Sequence, residues 1–271
     1  MASWLDVAER IFPEVTETVE DLLQKYPERE QKTALRFAPS PTGFLHVGSL
    51  ATALIGRIYA TQQGGSFILR IEDTDQKREI SGAASELIQN FARFGIQMDE
   101  GPLGEHEEDV GNYGPYFQSQ RANLYKIFIK NLLKRGLAYP CWMSEEELNT
   151  IRDQQAKAKQ VPGIYGEFSK YRAYSPDEIM SKLDEMEGYF PVIRFRSPGV
   201  MDKRIVFTDQ IRGTISMMDN YNDIVILKGD GLPTYHLAHI ADDTLMRISL
   251  VTRGDEWLMS APLHVQLFEA F

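Results

Sequence analysis

The sequence predicts an α/β fold: a Rossmann-type doubly wound parallel sheet with an inserted α+β lobe and an N-terminal helical prefix. Three observations carry this. Strand-like and helix-like stretches alternate from Thr33 to Gly95, as in a β-α-β unit. Residues 119–223 abandon that rhythm for short alternating strands. Residues 1–33 carry two apolar stripes at helical spacing.

The elements follow in order. In the prefix, Trp4, Leu5, Val7, Ala8, Ile11 and Phe12 make one stripe, and Val15, Val19, Leu22 and Leu23 a second, interrupted by Pro13 and Pro27. A pair of amphipathic helices packed on the body or on a partner is expected. The apolar run 34–38, ending at Pro39, reads as a buried parallel strand. A Pro/Gly-rich loop (39–43) leads into a helix from about His46 to Gln63, stopped by Gly64-Gly65. A second strand (66–72) precedes a helix (81–95) with Ala84, Leu87, Ile88, Phe91 and Phe94 on one face. These stretches read as the first half of the doubly wound fold, 34–118.

The middle opens with an amphipathic helix (Leu124, Ile127, Phe128, Leu132, Leu133) that ends at Gly136. A charged helix starts at the capping box Ser144/Glu147, and another at Ser175-Pro176-Asp177-Glu178, after a Gly/Tyr-rich loop at 161–174. Strands are expected at 192–196, 204–207 and 213–216. The run 223–227 returns to buried-strand texture, so residues 224–271 read as the second half of the fold, around an insertion at 119–223.

Bulk properties exclude several classes. The 271 residues, 43% apolar and 25% charged, describe an ordinary globular chain. No apolar run approaches the ~20 residues that span a bilayer, and the N-terminus lacks a basic-then-apolar leader. One cysteine, Cys141, excludes an internal disulfide and suggests a reducing cytoplasm. The net charge of −10 argues against indiscriminate nucleic-acid binding but leaves room for a local basic face.

Chemistry concentrates at 38–48, where a strand runs through a Pro/Gly loop into a helix N-terminus. Free backbone N–H groups and the helix dipole there favour a polyanion such as a triphosphate. His46 can stabilise charge as pyrophosphate leaves. Taken alone, such a turn is more often merely a turn, and a histidine at a helix start more often structural.

Ordered blocks then decide the matter. Phe37 to Gly48, Arg70-Ile71-Glu72-Asp73-Thr74-Asp75, Met98 to Pro102, Gln118-Ser119-Gln120-Arg121, Asp230 to Ala238, Asp242-Asp243 and Arg253-Gly254-Asp255-Glu256-Trp257 resemble class I glutamyl-tRNA synthetases of the zinc-less bacterial type. The resemblance implies ATP-dependent ligation of L-glutamate to the acceptor end of its tRNA through a glutamyl adenylate, with Mg2+ carried by the ATP phosphates. It also implies roles. His46, Gly48 and Ser49 fall in the phosphate motif, with Ser49 where the wider class has a second histidine. Arg36 and Arg253 match positions facing the substrate carboxylates, Glu72 and Ser40 those holding its ammonium, and Tyr235 offers a hydroxyl. Ala38, Thr42, His46, Gly48, Glu256 and Trp257 match nucleotide contacts, while His239 departs from the smaller residue common in bacterial relatives and receives no role. Structural readings stay open for each: Arg36 as a surface strand residue, Glu72 as a salt-bridge partner, Tyr235 as an interface aromatic, Trp257 as core.

In the insertion, relatives hold zinc through cysteines that this chain lacks apart from Cys141, so no zinc is expected. Ile164, Tyr165, Phe168 and Tyr171 are expected to pack that loop instead. Lys157, Lys159, Lys170, Arg172, Arg194 and Arg196 offer positive charge to RNA phosphates, and the acidic runs 105–109 and 145–147 should face away. The family's lysine-rich loop and anticodon-binding domain would lie beyond Phe271, so a piece of a longer enzyme is expected, with adenylation impaired. A monomer without membrane association fits this reading. The alternatives are the short paralogue that glutamylates a modified tRNA base (queuosine) and a non-catalytic tRNA- or glutamate-binding module.

Overall fold

Local chemistry sets many of the helix starts. Ser3 with Asp6, Thr18 with Asp21, Ser144 with Glu147 and Ser175 with Glu178 each close a reciprocal capping box. Each box satisfies backbone donors that the first helical turn leaves open. They begin α1 (Trp4–Ile11), α2 (Val19–Lys25), α6 (Glu145–Lys157) and α7 (Pro176–Glu185). The computed structural model describes residues 1–41, 46–74, 82–104 and 107–271. Thr42 and the rest of the expected loop to Leu45, Asp75, the expected helix start at Ser81, and Glu105 lie outside the described residues.

The chain divides into two units, with boundaries after residues 16 and 258 and inside α5 (Ala122–Lys134) and α8 (Tyr235–Leu245). One unit comprises residues 17–125 and 238–258. In it β1 (Ala34–Phe37) and β2 (Ser66–Leu69) pair in parallel from Ala34↔Ser66 to Phe37↔Leu69, joined by α3 (Val47–Gln62). This is the expected β-α-β unit, with α3 starting one residue late because His46 serves as its cap. β2 stops at Leu69 rather than Glu72. The chain beyond it still bonds regularly: Arg70 N–H donates to Phe37 O at 3.0 Å and Glu72 N–H to Pro39 O at 2.9 Å. Parallel bridges Ile68↔Glu100 and Ile71↔Phe117 widen the sheet. Small residues let α3 settle close to the strands: Ala53, Gly56 and Ala60 are its buried positions. A Cβ on Gly56 would stand 2.7 Å from the Phe67 ring, so the close approach requires glycine. Leu35, Phe67, Leu69, Leu87 and Phe91 of α4 (Ala83–Arg93) complete the core.

The other unit comprises residues 1–16, 126–237 and 259–271. Its sheet orders β3 (Ala138–Cys141), β4 (Val192–Phe195) and β7 (Val225–Leu227), antiparallel throughout. β3 was not expected, since Pro140 argues against a strand; its edge position makes the missing N–H tolerable. The run at 223–227 does form a strand, but pairing with β4 places it in this antiparallel sheet. β5 (Arg204–Asp209) and β6 (Gly213–Met218) make a separate hairpin, and α9 (Ala261–Ala270) ends the unit. In the loop at 161–174, Ile164, Tyr165 and Tyr171 are buried and Phe168 meets Tyr165 edge-on at 5.8 Å.

Three cations expected to reach RNA turn inward. Arg172 pairs with buried Asp223, Arg194 donates to Asp223 O at 2.8 Å, and Arg196 donates to Gly136 O at 2.9 Å and Arg172 O at 2.6 Å. Buried carbonyls and a carboxylate need donors, and these guanidinium groups supply them. Lys157, Lys159 and Lys170 remain exposed, with Lys170 paired to Glu147 at 3.2 Å. The N-terminal segment is tied in by Lys130, whose buried ammonium donates to Glu9 Oε2 at 2.7 Å, Phe12 O at 3.0 Å and Val15 O at 2.6 Å. Among the described residues no helix is long and apolar enough to cross a membrane.

Candidate active site

In the unit of residues 17–125 and 238–258, a buried polar cluster gathers at the C-terminal ends of β1 and β2. β1 supplies Arg36, and the chain leaving β2 supplies Arg70 and Glu72. α8 supplies His239, Asp242 and Asp243, whose i, i+3, i+4 spacing puts them on one helix face. Arg70 is fully buried and donates to Asp243 Oδ1 at 2.7 Å and to Glu72 Oε1 at 3.3 Å, with its Nε 3.6 Å from Asp242 Oδ2. Arg36 donates to Asp243 Oδ1 at 3.3 Å. Asp242 is saturated by Arg121 Nε at 2.6 Å, Gln118 Nε2 at 2.8 Å and the Tyr125 hydroxyl at 2.9 Å. Asp73 holds the 118–121 turn in place by accepting from Ser119 N–H at 2.7 Å and Ser119 Oγ at 2.6 Å.

His239 stands among the arginines. Its Nδ1 is 3.3 Å from an Arg36 terminal nitrogen and 3.4 Å from one of Arg70, while its Nε2 is 2.9 Å from one of Arg253. Burial, reinforced by Arg36, Arg70 and Arg253, pushes the imidazole well below its usual pKa against the pull of Asp243, so it is neutral near pH 7. Burial opposes ionisation of Asp243, but Arg36 and Arg70 outweigh it and hold that carboxyl below the usual range. Burial wins at Glu72 and raises its pKa, although Arg70 and Arg36 pull the other way. At Arg70 burial would lower the pKa, and the surrounding carboxylates Asp243, Asp242 and Glu72 raise it instead. The named groups are four guanidinium groups (Arg36, Arg70, Arg121, Arg253) and four carboxyl groups (Glu72, Asp73, Asp242, Asp243). Three of the guanidinium groups but only one carboxyl, that of Asp243, lie directly against His239, which concentrates positive charge there.

The remaining expected residues are placed as follows. His46 caps α3: its Nδ1 accepts from Ser49 N–H at 3.3 Å, and its Nε2 lies 3.2 Å from Ser49 Oγ. With Nδ1 accepting, Nε2 carries the proton and donates to Ser49 Oγ, which leaves the hydroxyl proton free to point outward. Gly48 is exposed, and a Cβ there would stand 3.1 Å from the His46 ring. Ser40 is exposed and Ala38 half-buried at the end of β1. Glu256 and Trp257 are exposed in a 3-10 turn, Asp255–Ser260. Tyr235, at the start of α8 in the other unit, is half-buried against the rings of His236 at 5.4 Å and His264 at 6.0 Å. Thus Arg36, Glu72 and Arg253 share one cluster, while His46, Gly48 and Ser49 form a local group at the α3 N-terminus.

Residues 32–271 match the model of the family described as tRNA synthetases class I (E and Q), catalytic domain. The chain belongs to this family. It is similar to the glutamate–tRNA ligase of Clostridium perfringens strain 13, at 52% identity over 98% of this chain and 49% of that protein. It is also similar to that of Clostridium beijerinckii, at 49% identity over 98% of this chain and 48% of that protein. A crystal structure of a glutamate tRNA ligase from Elizabethkingia meningosepticum in complex with its amino acid matches with TM-score 0.77 and 41% identity, covering 88% of this chain and 47% of that one. The chain therefore spans about half the length of the relatives it matches. Its Rossmann-type α/β fold is that of the class I catalytic domain.

Within this class I domain, Arg70, Gln118, Arg121, Asp242 and Asp243 stand in the blocks that carry the resemblance, yet their part in the cluster emerges only from the structure. A signal was present. Arg70 interrupts Ile68-Leu69-Arg70-Ile71, and Asp242-Asp243 follows Leu237-Ala238-His239-Ile240-Ala241. Charges set in apolar runs are buried ions, and buried ions come in pairs.

Proposed function

We propose that this chain is the catalytic portion of a glutamate–tRNA ligase that activates L-glutamate with ATP and passes it to the acceptor end of tRNA. The observation that carries the reading is the surplus of guanidinium over carboxylate around neutral His239, which suits a dicarboxylic amino acid. In this reading Arg36 and Arg253 face the substrate carboxylates, Glu72 and Ser40 hold its ammonium, and Tyr235 donates its hydroxyl. A substrate ammonium beside Glu72 would favour its charged form. Ala38, Thr42, Glu256 and Trp257 contact the nucleotide, with Mg2+ as counter-ion of its phosphates. A glutamate carboxylate oxygen attacks the α-phosphorus, and the bond to pyrophosphate breaks. His46 and Ser49, with α3's N-terminal dipole, stabilise the departing negative charge while Gly48 leaves room for it. A terminal ribose hydroxyl of tRNA then attacks the activated carbonyl, loses its proton and displaces AMP. No protein nucleophile is needed; positioning and charge stabilisation do the chemistry. Residues 119–223 are proposed to meet the acceptor stem, with Lys157, Lys159 and Lys170 as the exposed phosphate contacts. A monomer working in the cytoplasm is the proposed setting.

Pyrophosphate exchange with L-glutamate or L-glutamine, with and without tRNA, tests this on the chain and on a form carrying the relatives' remaining length. Glutamate is expected to support exchange. Arg253→Gln should raise its apparent KM by roughly 10–100-fold, as a charge-assisted hydrogen bond contributes ~1.5–3 kcal/mol. Preference for glutamine, or no exchange in the longer form, would sink the assignment.

A further inference from the structure

Two neighbours of the His239 ring bear on where its single proton sits. Asp243 Oδ2 is buried, accepts no hydrogen bond within normal distance, and has His239 Nδ1 at 3.4 Å, one helical turn away. A buried carboxylate oxygen without a donor is costly, and a proton on Nδ1 could serve it after a small turn of the ring, since at 3.4 Å the pair makes no hydrogen bond as it stands and Nδ1 also faces Arg36 and Arg70. Arg253 decides the other side. A guanidinium can only donate, and its nitrogen lies 2.9 Å from Nε2, so Nε2 must be an acceptor. The Arg36 and Arg70 nitrogens are farther from Nδ1, at 3.3 and 3.4 Å, and both arginines have carboxylate partners, Asp243 for each and Glu72 for Arg70. The shorter Arg253 contact at Nε2 therefore sets the tautomer, and Asp243 is the acceptor beside Nδ1.

We propose that His239 is a positioning residue: Asp243 takes the Nδ1 proton, which leaves Nε2 to accept from Arg253 and aim that guanidinium at a carboxylate of the amino-acid substrate. The substrate half rests on the ligase reading; the tautomer half does not. Neutrality of the ring matters, because an imidazolium would add a fifth cation and turn a donor toward Arg253. Among the described residues, the charged groups recorded against His239 include Arg36 from β1, Arg70 from the chain beyond β2, Asp243 from α8 and Arg253 from the segment after it. Side-chain amides separate this role from simple packing. Gln reaches about as far as Nε2 and presents an acceptor there, whereas Asn reaches only as far as Nδ1.

The test joins nitrogen-15 NMR of labelled histidine with calorimetric titration of L-glutamate. The His239 signals, assigned by their loss in His239→Gln, should show a protonated Nδ1 and a bare Nε2. His239→Asn should weaken L-glutamate binding roughly tenfold, and His239→Gln should restore most of that loss, with melting curves confirming both fold. A protonated Nε2 in a chain that binds glutamate overturns the inference and leaves the ligase reading standing. Equal weakening by Asn and Gln overturns it as well. Failure of the unsubstituted chain to bind glutamate, with the expected tautomer present, overturns the ligase reading and with it the substrate half. If a variant does not fold, the tautomer, assigned through whichever variant folds, still decides the first half.

Discussion

Asp223, in the unit containing residues 126–237, and Asp242, in the unit containing residues 17–125, are both wholly buried, yet their partners differ in kind. Asp223 accepts from the Tyr139 hydroxyl at 2.8 Å, from Ser197 N–H at 2.9 Å and from Arg172, whose side chain is 33% exposed. Two neutral donors and a cation that reaches water satisfy one carboxylate, and the neighbouring Arg194 and Arg196 donate to backbone carbonyls. Around Asp242 and Asp243 the cations Arg36, Arg70 and Arg121 are buried, and Arg253 joins them through His239. That excess is poor design for stability and good design for an anionic ligand. Buried charge alone does not mark a site; its imbalance does.

Substitutions can break this contrast. Asp242→Ala strands buried Arg121 without its anion and removes the acceptor of the Gln118 amide and the Tyr125 hydroxyl, so it should cost the most, ~3–5 kcal/mol. Regional hydrogen exchange should show amides of β1 and β2 losing protection; unchanged protection would mean the cluster is not structural. Asp223→Ala should cost less, about 2–3 kcal/mol, since it orphans a buried hydroxyl and a backbone N–H while Arg172 turns to water. Here β3 and β4 should lose protection instead. If Asp223→Ala proves costlier than Asp242→Ala, the ranking is wrong.

Titration sharpens the contrast further. Asp243 has a depressed pKa, so its stabilisation is present above the unfolded value of ~3.9 and is lost as pH falls below it. Glu72 has a raised pKa, so its favourable contribution lies below the unfolded value of ~4.3 and is lost as pH rises through the folded one. Glu72→Gln should therefore keep or gain stability at pH 7 in urea melts while weakening glutamate binding. A clear loss of stability would make Glu72 a structural residue only. Smallest of all, Arg172→Leu should cost about 1–2 kcal/mol, because Tyr139 and Ser197 still serve Asp223 while the bond to Ser197 O is lost; a larger loss would make the two clusters alike.

What the sequence disclosed followed from how local each feature is. The boxes at Ser144/Glu147 and Ser175/Glu178 were readable because three residues decide them, and the β-α-β unit because β1, α3 and β2 are consecutive. β3 was hidden by Pro140, whose tolerance depends on an edge position that only long-range pairing creates. The antiparallel partner of β7 was hidden for the same reason. At the candidate site, Arg36, Glu72 and Arg253 were legible as types, but the tautomer logic of His239 needs Asp243 and Arg253 at measured distances. Arg172, Arg194 and Arg196 misled because a charge on a strand or loop reads as solvated until its buried acceptor is seen.

The cage around Lys130 bears on how this protein is trimmed. The family match starts at residue 32, which invites a shorter version beginning there. Such a cut removes Glu9 and the carbonyls of Phe12 and Val15, the recorded acceptors of the Lys130 ammonium, and uncovers the side chains that the segment packs against. Homology boundaries and folding boundaries do not coincide in this chain, and the first sixteen residues belong to the unit they pack against.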